Sequence, residues 1–107
     1  MHGFAPEEEP VRRLLPWAND LNQPCYLMTT ADGGYVSRLA DRVEAAQLGM
    51  AGDLLEHAKD LLGDEKVTED QLRFLIARMG ESMTDLCRIA VSRGERIPVT
   101  YEADGDN

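Results

Sequence analysis

The sequence predicts an all-α fold: a long antiparallel helical hairpin with an extended N-terminal strap, two such hairpins pairing into a four-helix bundle. Three observations carry this. Apolar residues recur in steps of three and four from Val36 to Leu61, and again from Leu72 to Ala90, the spacing of one helix face. The run "LLGDEKVTEDQL", Leu61 to Leu72, has the chemistry of a corner between two helices. Four of the five prolines fall at 6, 10, 16 and 24, where they bar a long helix. The chain then divides into a strap over 1–33, a helical hairpin over 34–94 and an acidic tail over 95–107.

In the strap, "EEPVRRLL" has room for two helical turns, and "CYLMTT" reads as an extended piece lying on the helical body. "ADGG", Ala31 to Gly34, reads as a turn, because glycine permits positive φ. A β-hairpin pairing "CYLMTT" with "YVSRL" is the competing arrangement. Helical spacing from Val36 favours a helix there.

The first helix shows one row at Val36, Leu39, Val43, Ala46, Met50, Leu54, Ala58 and Leu61. A second row runs through Leu48, Ala51, Leu55, Ala58 and Leu62. Two adjoining rows are wider than a coiled-coil seam, so the helix should touch more than one neighbour. Gly49 and Gly52 each cost about 1 kcal/mol against alanine, and close helix approach around Met50 is the expected reason for them.

At the corner, Gly63 suits a left-handed helix cap. Thr68 and Gln71 have the spacing of a capping box, and Val67 and Leu72 that of a hydrophobic staple. Glu69 and Asp70 fall where the helix dipole favours negative charge. A calcium loop would need oxygen ligands at fixed places. From Asp60, those places hold Leu62, Glu65 and Gln71 in the third, sixth and twelfth positions, so the corner reading prevails. The second helix runs through Leu72, Ile76, Met79, Met83, Leu86 and Ala90, widened by Leu75, Ile89 and Val91. Glu69 and Arg73 are spaced for an ion pair, and Gly94 with Pro98 signals the helix end.

The net charge of −9 disfavours nucleic acid and anionic membrane surfaces as partners. Residues 1–33 and 95–107 contribute −3 each, so the helical middle is closer to balance. The sequence has no apolar run long enough to span a membrane and no secretory pattern at its start. Two isolated cysteines point to a reducing cytoplasm.

No residue pattern points to catalysis, a metal or a cofactor. His57 lies in "LLEHAKD" without an HExxH or a paired Glu-x-x-His element, and reads as a surface residue. Cys87 reads as a buried thiol at an apolar margin. Arg38 and Arg42 form a charged strip with Asp41 and Glu44, read as a solvated face. Ser37, Ser82 and Ser92 lack a GxSxG context.

The run "PCYLMTTADGGYVSRLADRVEAAQLGMAGDLLEHA", Pro24 to Ala58, together with "QLRFLIARMGESMTDLCRIAVSRG", resembles small helical proteins of actinobacteria. Nine arginines against two lysines suit a high-GC genome. The resemblance implies no activity, ligand or site.

A bare helical hairpin buries only its facing stripes. The sequence therefore predicts a non-enzymatic interaction or regulatory protein. It works as a homodimer or with a partner protein, through Leu48, Met50, Leu54, Leu55, Leu75, Met79, Met83 and Ile89. A small-molecule site in the bundle near Gly49, Met50 and Gly52 is the alternative. An unfamiliar enzyme using Cys87 or His57 is the third reading.

Overall fold

The computed structural model describes residues 11–29 and 34–96. The order of elements is β1 (Val11–Ala18), β2 (Pro24–Thr29), α1 (Tyr35–Leu62) and α2 (Glu69–Arg96). The two helices are as expected, but the N-terminal part is a β-hairpin, so the fold is not purely helical. The turn "ADGG" falls largely outside the described residues, as does the tail beyond Arg96.

β1 and β2 are antiparallel, with Val11 opposite Thr29 and Leu14 opposite Tyr26. "VRRLL" is thus a strand and not two turns of helix. It pairs with "CYLM", where the competing reading had "YVSRL" as the partner. The connection is organised by Asn19, whose side-chain oxygen accepts from the amides of Leu21 and Gln23 at 2.9 Å each. Asn22 holds φ of 63°, a conformation that asparagine tolerates. The register shifts between Leu14 and Ala18. Pro16 lies in this irregular stretch, where its missing N–H breaks no ladder bond. β1, not the "CYLM" strand, is seated on the helices.

Each helix has 28 residues, about 42 Å of rod. α1 is preceded by Gly34, whose φ of 108° only glycine adopts freely. At the corner α1 closes with Gly63 in a right-handed conformation, φ −89°, and not in the expected left-handed cap. The Gly63 amide donates to Lys59 O and that of Asp64 to Leu61 O, each at 3.2 Å; this tightened last turn satisfies carbonyls without a positive φ. The Asp64 carboxylate accepts from the Lys66 amide at 2.8 Å. The capping box forms as read: the Gln71 amide donates to Thr68 Oγ1 at 3.1 Å, and the Thr68 amide to Gln71 Oε1 at 2.8 Å. Glu69 and Arg73 pair at 2.8 Å. α2 continues through Gly94 to Arg96, two residues past the expected stop.

The buried row of α1 is Ser37, Ala40, Glu44, Gln47, Ala51, Leu54, Ala58 and Leu61, all buried or half-buried. Its first half is displaced by one residue from the predicted row, because a polar partner from β1 lies against it. On α2 the seam runs Leu75, Met79, Ser82, Leu86 and Ile89. Leu75 and Ile89, expected to need cover from elsewhere, are already buried in one chain.

Candidate functional site

At its open end the helical hairpin is held by a buried ionic cluster. Glu44 has 2% of its surface exposed. Arg13 reaches from β1 to Glu44 at 3.4 Å and to Asp41 at 2.8 Å, and donates to Ser37 Oγ at 2.7 Å. From α2, Arg93 and Arg96 approach the other Glu44 oxygen at 3.4 and 3.9 Å. Ser92 donates its hydroxyl to the Leu14 carbonyl at 2.7 Å and accepts from Arg96. Gln47 donates to the Pro16 carbonyl at 3.0 Å. One carboxylate thus ties together β1, α1 and α2. Three arginines face the two carboxylates, and all three share Glu44, so the cluster reads as a clamp.

The seam residues follow a heptad, abcdefg, with Ser37, Glu44, Ala51 and Ala58 at a on α1 and Met79 and Leu86 at a on α2. On one side of the seam lie the e positions. They include Asp41, Leu48, Leu55 and Leu62 of α1, and Ile76, Met83 and Ala90 of α2, all exposed. In an antiparallel pair the two e rows share one side. A shallow groove confirms this by bringing Leu55 and Met83 together over Ala51, Leu54, Met79, Ser82 and Leu86. The small seam residues Ala51 and Ser82 leave the trough. Leu55 is 56% exposed, Met83 60%, Ile76 68% and Leu62 86%.

Beyond the e rows come the b positions: Arg38, Ala45, Gly52 and Lys59 on α1, Arg73, Gly80, Cys87 and Gly94 on α2. From Ala45 to Leu62 and from Ile76 to Gly94, Lys59 is the charged member of these four rows. The opposite side differs. It carries the Arg78–Glu81 and Arg88–Asp85 pairs, at 2.6 and 3.4 Å, and His57. A Cβ added at Gly49, Gly52, Gly80 or Gly94 would meet nothing within 4 Å. Gly49 and Gly52 therefore do not serve helix approach within the chain.

The eight residues singled out from sequence separate into three groups. Leu48, Leu54, Leu55, Met79 and Met83 lie on or under the uncharged face. Met50 is exposed on the other flank, and Leu75 and Ile89 belong to the internal seam. Sequence reasoning missed Ile76 as a member of the face, although its e-type spacing from Met83 was available, and it placed Leu62 in the second row with Leu48 and Leu55 but left it out of the contact residues. It also missed Glu44, read as part of a solvated strip and found buried. Cys87 is exposed, not buried, because the b row lies outside the seam. His57 is exposed, as expected for a surface residue. Among the described residues, no group of histidine, cysteine and carboxylate side chains is arranged to hold a metal ion, and no helix is long and apolar enough to cross a membrane.

Comparison of the chain with protein families, with curated proteins and with solved structures finds no match. The likeness to actinobacterial proteins gains no support from these comparisons; a small, mostly helical protein with an N-terminal β-hairpin is what stands.

Proposed function

We propose that the protein is a small interaction module that binds another polypeptide through the uncharged face of its helical hairpin. The occupant is a second copy, completing a four-helix bundle, or a partner protein presenting helices of its own. The observation that carries this is the side-by-side exposure of Leu55, Met83, Ile76 and Leu62 next to a row of small residues. Fully burying a leucine, isoleucine or methionine is worth about 1.5–3 kcal/mol, so covering several half-exposed ones gives a strong drive to associate. Helices in bundles use a, d and e positions to face a core, whereas a simple seam needs only a and d. This hairpin has the wider stripe on both helices.

A small-molecule role finds less support. The groove offers about 90 Å³ of free volume, against roughly 300–1,000 Å³ for usual ligand pockets. It lies at Leu54, Leu55 and Met83, away from Gly49 and Met50. The acidic charge supports a polypeptide partner over nucleic acid.

A photoactivatable amino acid at Leu55 tests the reading inside the cell of origin. Crosslinks to a polypeptide, whether a second copy or another protein, are expected from Leu55 and not from the same probe at His57. Equal or absent crosslinking at the two positions refutes it.

A further inference from the structure

We infer that the occupant of the face is a second copy of this chain, packed about a two-fold axis that passes near Leu55 and Met83. This rests on the interaction reading above and names its partner.

Gly52, Gly80 and Gly94 are the first reason. Each sits inside a helix, where glycine is about 1 kcal/mol worse than alanine. Each would accept a Cβ with nothing from the rest of the chain within 4 Å, as would Gly49 outside these rows, so packing within one copy does not account for them. All three occupy the b row of the same face. In a bundle made of two hairpins, e side chains point to the shared core, and b positions lie where a helix of one copy crosses a helix of the other. Glycine there lets the backbones approach closely, and the large e residues of one copy pack over the small row of its partner.

Charge is the second. Each chain carries −9, so two copies repel one another, and least so where they meet through a surface without acidic side chains. A basic partner would instead want an acidic lining, and the face has none: its charged member is Lys59, already paired with Glu56 at 3.1 Å.

Area is the third. Ala45 to Leu62 spans about 26 Å at 1.5 Å per residue, and two packed helices are about 20 Å across. The face is then about 500 Å² in flat projection; side-chain relief raises its accessible area toward the roughly 800 Å² that each partner buries in a stable complex. Copies of one surface, large rows against small rows, fit each other with no further device, and isologous pairing is the commonest closed arrangement. With the axis at Leu55 and Met83, the Leu62 and Ile76 level of one copy covers the Leu48 and Ala90 level of the other. The overlap then ends at about Ala45, at the margin of the segment that β1 and Arg13 occupy.

Sedimentation velocity of the full chain across a wide concentration range decides the matter, with Gly80→Leu, Gly80→Ala, Met83→Lys and His57→Glu measured beside it. The unaltered chain and His57→Glu are expected to be dimers. Met83→Lys and Gly80→Leu are expected to be monomers at the same concentrations, with the helical circular dichroism of the parent. Gly80→Ala keeps the test open if the leucine variant fails to fold: it improves the helix, yet should lose dimer. A monomeric parent that binds an apolar dye at the face overturns the second copy as occupant and leaves the interaction reading standing. A monomeric parent that binds no dye overturns both. A dimer that persists in Met83→Lys and both Gly80 variants, or that His57→Glu abolishes, places the contact elsewhere and overturns the inference.

Discussion

Replacing Glu44 by glutamine removes the carboxylate that Arg13, Arg93 and Arg96 share, while keeping its size. The Glu44 side chain is 3% exposed and that of Arg13 8%, so this pair is desolvated and salt screens it little. Arg93 is half exposed, and its share is discounted accordingly. Taking one partner from a buried ion pair costs about 3–5 kcal/mol, because the other charge is left buried without compensation. Arg13 keeps Asp41 and Ser37, which places the expected loss near the lower bound, about 3 kcal/mol. Against a total of roughly 5–15 kcal/mol for a domain, that is a large fraction. Urea unfolding should be followed by two signals: far-ultraviolet circular dichroism for the helices, and fluorescence of Trp17, the chain's one tryptophan, for β1. With a urea slope of about 1–3 kcal/mol/M, the dichroism midpoint should fall by about 1–3 M, and Trp17 should report release of the β-hairpin at still lower urea. The pair Arg13→Met with Glu44→Leu removes both charges and should recover much of the loss. A midpoint unchanged in Glu44→Gln, with the two signals coincident, would show that the cluster does not hold the β-hairpin and would refute the clamp.

The seam assignment predicts opposite outcomes for adjacent residues: Leu75→Ala should cost about 2–5 kcal/mol as a core truncation, while Ile76→Ala should leave monomer stability nearly unchanged, both by urea unfolding at dilution. Ser92→Ala should cost about 1–3 kcal/mol by stranding the Leu14 carbonyl, read by the same titration and by faster amide exchange in β1. Thr68→Ala should cost about 1 kcal/mol through loss of the N-cap, with the earliest exchange expected at Gln71. If two acidic copies meet through an uncharged face, added salt should tighten the dimer by screening their repulsion; sedimentation at rising ionic strength checks this, and loosening would mean that ion pairs hold the contact.

The helices and the corner were legible because their signals are local. Thr68 and Gln71 lie three residues apart, and the capping box needs nothing else. The β-hairpin was not legible. "VRRLL" lacks period-two alternation, since Arg13, Leu14 and Leu15 are all buried, and its conformation is settled by pairing across Asn19 and by docking on the helices. Glu44 was misread for the same reason: its partner Arg13 is 31 residues away, and without that arginine a glutamate beside Val43 belongs in solvent. On α2 the difficulty was different. Leu72, Ile76, Met79, Met83, Leu86 and Ala90 form as good an apolar row as Leu75, Met79, Leu86 and Ile89. Periodicity shows that a wide stripe exists, not which edge of it turns inward.

That ambiguity bears on what the hairpin does. At the open end the helices are joined by β1, the Arg13–Glu44 pair and the Ser92 hydroxyl, and the small, polar residues Ser37, Ala40, Glu44 and Gln47 suit that packing. Toward the corner no third element lies on the helices among the described residues, and there the composition turns to Leu55, Leu62, Ile76 and Met83 on the outside. A chain that needed only to fold could place polar residues at these largely exposed e positions and alanine at Gly52 and Gly80, where an added Cβ would have nothing from the rest of the chain within 4 Å. The open end, with its clamp, therefore accounts for the fold, and the uncharged face near the corner is where a reason from outside the single chain is required.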